Sequence, residues 1–87
     1  MMECKTRQFG SLVANIYDFS EVGDELPSHQ HDDSNTHISI VSRGSFCVFG
    51  GTWEITAKTG DVLDWKPLQE HGFIALEAGS RLVNITK

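Results

Sequence analysis

The chain has 87 residues, 39% of them hydrophobic and 22% charged, and a formal net charge of −5. That length allows one domain with a thin core, burying roughly 60–65% of its unfolded surface, and two prolines and eight glycines fit a soluble globular protein better than a disordered one. The acidic balance and the scattering of the seven Lys and Arg argue against nucleic acid or an anionic membrane as a partner, since both need a basic patch.

The opening stretch, MMECKTRQFGSLVANIYDF, has no apolar core behind a basic region, and no stretch approaches the roughly 20 apolar residues of a membrane span, so a cytoplasmic protein is expected. Phe9 to Phe19 carries Leu12, Ala14 and Ile16 in period-two register and predicts an opening strand, with residues 1–7 as a short tail. Ser20 to Ser28 is acidic, contains Gly23 and Pro27, and reads as a connecting loop. His37 to Ser42 is rich in β-branched residues and stops at the turn signal Arg43-Gly44. Ser45 to Phe49 is the next strand, and Gly50-Gly51 predicts a two-residue hairpin with positive φ, answered by Thr52 to Ala57. Lys58 to Asp61 turns again, Val62 to Trp65 forms a short strand, and His71 to Leu76 with Ser80 to Thr86 predict a closing hairpin. Strands this short, with turns every 8–12 residues and no convincing helix, indicate an all-β barrel or sandwich.

Cys4 and Cys47 are far apart and form no Cys-x-x-Cys pair, which excludes a zinc ribbon or thioredoxin motif; Cys47, in an apolar strand, is expected to be a small buried hydrophobe. Trp53 and Trp65 are expected in packing roles, and Asp61 as a turn carboxylate. Ser39 and Gln69 are polar candidates for orienting a ligand, and Arg43 and Arg81 are surface residues that could meet a carboxylate only at a barrel mouth.

The histidines are the chemically distinctive group. His29 and His31 are two apart, so on a strand they share a face and their imidazoles can converge. His37 follows a polar loop, Asp32 to Thr36, and His71 lies far downstream. Two ligands on one strand, one on the next and one from a distant strand is the distribution a metal centre inside a barrel needs. A His-x-His pair alone also occurs in surface loops. If His37 faces inward, Ser39 and Val41 share its face, and Phe73 and Ala75 share that of His71.

These residues resemble the two motifs of the cupins, a family of small β-barrels of the jelly-roll or double-stranded β-helix type. The first motif, Gly-x5-His-x-His-x3,4-Glu-x6-Gly, is matched at both ends: Gly23 stands six before His29, His31 follows, and His37 stands seven before Gly44. Five residues separate His31 from His37, and His37 replaces the glutamate of the pattern. The second motif runs from Gly60-Asp61 through Pro67 to His71, with Gln69 in place of its second glycine and Ala75 in place of its asparagine. The resemblance implies one cupin domain over residues 1–87, with the first motif at about 23–44 and the second at about 60–75. It also implies His29, His31, His37 and His71 as ligands of one divalent transition metal, with Asn35 or Asp33 as substitutes should His37 not reach. Imidazoles suit Zn, Fe, Ni, Cu and, less strongly, Mn and Co, so the sequence does not select the metal.

Three functions follow as expectations. The resemblance implies a metal-dependent enzyme of dioxygenase, isomerase, lyase or cyclase type acting on a small oxygen-rich molecule, although no Tyr, Lys or non-ligand His stands out as a general base and Glu70 would face away from His71. The alternative is a non-catalytic, metal-stabilised module binding a sugar or small acid, and the third is a metal-free barrel lined by histidines. Exposed edges and an N-terminal strand available for exchange predict a homodimer.

Overall fold

The structure is a computed structural model that describes residues 2–29, 37–66 and 68–87, with the backbone alone at His29. The described residues form nine strands and no helix: β1 (Met2–Phe9), β2 (Leu12–Phe19), β3 (Glu25–His29), β4 (His37–Arg43), β5 (Ser45–Phe49), β6 (Glu54–Lys58), β7 (Val62–Trp65), β8 (His71–Ala75) and β9 (Ser80–Thr86). They make two antiparallel sheets, one of five strands in the order β1-β2-β9-β4-β7 and one of four in the order β3-β8-β5-β6. No helix in the described residues is long and apolar enough to cross a membrane.

The alternating strands bury the side chains their pattern selects. On β4, His37, Ser39 and Val41 face inward and are buried; on β8, His71, Phe73 and Ala75 do the same, as expected. The core joins Phe19, Val41 and Leu82 from the five-stranded sheet to Phe46, Val48, Phe73 and Ala75 from the other. Phe46 lies edge-to-face with Phe19 at 4.9 Å and with Phe73 at 6.1 Å. Such pairs contribute about 0.5–1.5 kcal/mol each beyond the area they bury.

Polarity changes along the inner faces. β4 runs from His37 and Ser39 to Val41, β8 from His71 to Phe73 and Ala75, and β9 back from Leu82 to Asn84. One end of the interior is therefore an apolar plug, and the other collects imidazole, amide and hydroxyl groups.

Several expectations are corrected. The stretch read as one opening strand is a hairpin of β1 and β2 paired from Met2↔Phe19 to Phe9↔Leu12, so residues 2–7 are a strand and not a tail. Leu12, Ala14 and Ile16 lie on the outer face of β2, because Tyr17 and Phe19 take the inner one. Part of the loop read over residues 20–28 is β3, which pairs with β8 through a register shift between Leu26 and His29. The segments 71–76 and 80–86 do not form a hairpin: β8 belongs to the four-stranded sheet and β9 to the five-stranded one. Their shared alternation could not tell pairing from crossing. The β5–β6 hairpin closes through Gly50 to Trp53, the Gly50 N–H donating to the Trp53 carbonyl at 2.9 Å, and neither Gly50 nor Gly51 has positive φ. Gly50 is needed for closeness instead, since a Cβ there would collide with the Trp53 indole and approach the Glu70 carbonyl to 2.8 Å. Cys47 is only partly buried, facing outward between the buried Phe46 and Val48.

Candidate metal centre

His71 enters the interior on the first residue of β8, fully buried, and its surroundings fix both its plane and its tautomer. Its Nδ1 lies 2.8 Å from the Gln69 carbonyl oxygen. A carbonyl can only accept, so Nδ1 carries the proton; in the neutral ring Nε2 then holds the lone pair, the tautomer in which an imidazole ligates a metal through Nε2. The Trp65 indole stacks on the ring at 4.2 Å with 4° between the planes, and Trp53 stacks behind Trp65 at 6.0 Å.

Trp65 is anchored in turn. Its Nε1–H donates to the Ser39 hydroxyl at 2.9 Å, and that hydroxyl donates to Asn84 Oδ1 at 2.5 Å. This chain runs from β7 through β4 to β9, all in the five-stranded sheet, and holds a ring that packs against a histidine of the opposite sheet.

His37, 7% exposed at the start of β4, lines the same cavity as His71. The cavity is about 40 Å³ and is also lined by Asn15, Tyr17, Ser39, Trp65 and Asn84. His29 is the Cα partner of His71 across β3 and β8. The structure thus brings His37 and His71 to one cavity and His29 to the register position opposite His71. His31, Asp33 and Asn35 lie outside the described residues. Among the described residues, no three His, Cys, Asp or Glu side chains converge as a metal-holding group.

Gln69 contributes in a way the sequence did not suggest. Its side-chain Oε1 accepts from the Lys66 N–H at 3.1 Å, so the residue orients His71 through its backbone carbonyl. Asn15, Tyr17 and Asn84 carry no signal in the sequence; only the pairing of β9 with both β2 and β4 places them beside His37. Burial, and then the neighbouring Cys4, pushes the Tyr17 phenol above its ordinary range, so it stays protonated at neutral pH. Asp61 accepts from the Lys58 N–H at 2.9 Å, the turn role expected of it. Arg43 and Arg81 are at the surface around Asp18.

A larger cleft, about 600 Å³, lies on the outer face of the four-stranded sheet and is lined by Glu25, Cys47, Phe49 and Trp53 among others, with no histidine. Burial and the nearby Glu54 carboxylate raise the Cys47 thiol, which disfavours thiolate there.

No protein-family model and no curated protein matches the sequence. Solved structures do match in fold. KdgF from Halomonas sp. is 24% identical, with 98% of this chain and 76% of that one covered and a TM-score of 0.86. A cupin superfamily protein from Desulfitobacterium hafniense DCB-2 is 13% identical, covering 99% and 76% with a TM-score of 0.83. An RmlC-like cupin from Desulfovibrio desulfuricans is 24% identical, covering 99% and 79% with a TM-score of 0.82.

Proposed function

Because this chain folds as a small cupin-type β-barrel, we propose that it holds one divalent transition metal through His29, His31, His37 and His71 and acts on a small oxygen-rich molecule at the polar end of the barrel. The observation that carries the reading is the presentation of His71. A buried imidazole is held by a backbone carbonyl at Nδ1 and by an indole across its face, with His37 from the other sheet on the same cavity. Four neutral imidazoles would leave the full positive charge on the ion, which when bound supplies Lewis-acid polarisation of substrate oxygens for dioxygenase, isomerase, lyase or cyclase chemistry. The protein's own share is positional. Gln69 fixes the tautomer of His71, and the Ser39–Trp65 hydrogen bond fixes its plane. Asn84 and Asn15 on the cavity wall are able to hydrogen-bond a substrate oxygen, and the protonated Tyr17 phenol is able to donate to one.

One observation favours a second reading, a metal-stabilised module without turnover. The cavity of about 40 Å³ is far below the roughly 300–1,000 Å³ of a drug-sized ligand site, so only the coordinating end of a ligand fits inside.

Elemental analysis of protein purified without an affinity tag or chelator tests the metal first. The expected result is near one equivalent of a transition metal, lost in His71→Ala and in His29→Ala/His31→Ala while the far-UV circular dichroism stays that of a β-barrel. No metal in the native protein and none taken up on addition overturns the reading. Turnover of a panel of small hydroxy- and keto-acids by the loaded protein favours the enzyme; calorimetric binding without turnover favours the module.

A further inference from the structure

The cleft on the outer face of the four-stranded sheet, about 600 Å³, is far larger than the histidine cavity of about 40 Å³. It falls within the roughly 300–1,000 Å³ of small-molecule sites. Its floor follows from the register. Ile74 on β8 pairs with Cys47 on β5 and with Glu25 on β3, and in the next outward row Phe49 pairs with Gly72 on one side and Glu54 on the other. All lie opposite in parity to the buried Phe46, Val48 and Phe73, and so point out of the barrel. The Phe49 ring fills the place of the side chain that Gly72 lacks, since a Cβ there would stand 2.6 Å from Phe49 Cζ. Gly50 and Gly51 keep the adjoining wall low, and Trp53 ends it, its indole held by the stack on Trp65 at 6.0 Å. Two aromatic rings are thus fixed in place before any ligand arrives, which lowers the ordering cost of binding.

The charges say what fits between them. Glu25 and Glu54 line the cleft, and the Glu70 carboxylate stands beside it, where a Cβ on Gly51 would meet Glu70 Oε2 at 3.4 Å. None of the described residues lining the cleft is a lysine, arginine or histidine. We infer that this cleft binds a small organic cation, an ammonium group carried on an apolar body. The apolar body lies on Phe49 and Ile74, while the ammonium donates to the carboxylates and meets the face of an aromatic ring, a contact of about 0.5–1 kcal/mol at an exposed site. A metal ion does not suit the same lining: among the described residues no three His, Cys, Asp or Glu side chains converge to hold one. The Cys47 thiol, with its Sγ 3.6 Å from Glu54 Oε2, stays protonated beside that carboxylate and serves as neutral floor. This ligand differs in charge and in place from the oxygen-rich molecule proposed at the barrel interior.

Nuclear magnetic resonance titration of the isotope-labelled full chain with phenethylammonium tests this, with phenethyl alcohol and phenylacetate as neutral and anionic probes of the same body. EDTA is present throughout, so the outcome does not depend on the metal reading. The amide resonances of Cys47, Gly50 to Glu54 and Ile74 shift saturably with the cation, with a Kd of about 1 mM for so small a ligand. The alcohol binds roughly tenfold more weakly and the acid more weakly still. Glu25→Gln and Glu54→Gln, both at exposed positions, each weaken the cation by about threefold and leave the alcohol unchanged. In a Cys4→Ser background, phenethylammonium at five times its Kd slows alkylation of Cys47 by iodoacetamide by about sixfold, as occupancy of the floor requires. Equal binding of the three probes, saturable shifts confined to residues outside the cleft, or no saturable shift up to tens of millimolar overturns the inference. So does a cation affinity that both carboxamide variants leave unchanged.

Discussion

Asp18, on the outer face of β2, is gripped by Arg81, whose Nε donates to Oδ1 at 2.7 Å and Nη2 to Oδ2 at 3.1 Å, with an Arg43 nitrogen 3.5 Å from Oδ1. The Arg81 hydrogen bonds hold the carboxyl below the usual carboxylate range; partial burial opposes this, and the charges of Arg81, Lys5 and Arg43 add to it. A carboxyl whose folded pKa is depressed stabilises the fold fully above its unfolded pKa, and that contribution disappears as pH falls through the folded value. Asp18→Asn should lower Tm by a few degrees at neutral pH, and the gap to the native protein should close as the scans move below the ordinary carboxylate range. A gap constant with pH would mean that the charge does not matter. At this scale the sequence was partly legible. Asp61 after Gly60 announces a turn carboxylate because the hydrogen bond it makes is local, to Lys58. Gln69 and Ser39 stood out as polar candidates for orienting a ligand, but their routes could not be read: the group Gln69 offers His71 is a carbonyl that any residue carries, and Ser39 gains its role only from Trp65 and Asn84, 26 and 45 positions away.

Gly44 shows what the elements demand of a single position. It joins β4 in one sheet to β5 in the other at φ +80°, and its carbonyl accepts from the Thr59 N–H at 3.0 Å and the Thr59 hydroxyl at 3.1 Å. A Cβ there would collide with the Ser80 hydroxyl and come within 2.8 Å of its Cβ, while Ser80 is itself fully buried. Gly44→Ala should therefore cost about 2–4 kcal/mol, from left-handed backbone plus a clash that cannot relax. In a domain of this size that is a fall in Tm of roughly 10–20 °C, and a scan showing less than a few degrees would refute the argument. Gly44 also ends the first motif, so a sequence pattern and a steric requirement coincide. The strands β5, β7 and β9 were legible to the residue because each alternates between bounded turns. β1 was not, since MECKTRQF offers no apolar period, and its strand conformation comes from pairing with β2. Which strands cross between sheets was equally hidden: alternation records that one face is buried and not which neighbour buries it.

For the whole molecule, the family pattern carried the barrel into view more securely than the site. Two histidines reach one cavity because β4 and β8 begin at the same polar end of facing sheets, an arrangement set by topology and not by their spacing of 34 residues. The predicted fourfold ligand set rests additionally on His29 and His31, where the described side chains stop. The segregation of an apolar plug from a polar end explains how so short a chain tolerates buried imidazole and amide groups: Phe19, Phe46 and Phe73 concentrate the hydrophobic stabilisation in the plug, where the buried Ser80 hydroxyl is satisfied by donating to the Glu77 carbonyl at 2.8 Å.

The ring stack has an optical consequence. Trp53 and Trp65 are the chain's only tryptophans, and they sit 6.0 Å apart with Trp65 4.2 Å from His71, so all indole emission originates within a few ångströms of the histidine cavity. The two indoles, 24° from parallel, should couple their transition dipoles and give a split near-ultraviolet circular dichroism band. Adding an open-shell ion such as Ni²⁺ or Cu²⁺ should quench the emission in a saturable way that a chelator reverses, whereas Zn²⁺ should shift it with little loss. Quenching that does not saturate would be collisional, and would place the ion in solution. The protein thus carries its own luminescent gauge of what occupies the barrel.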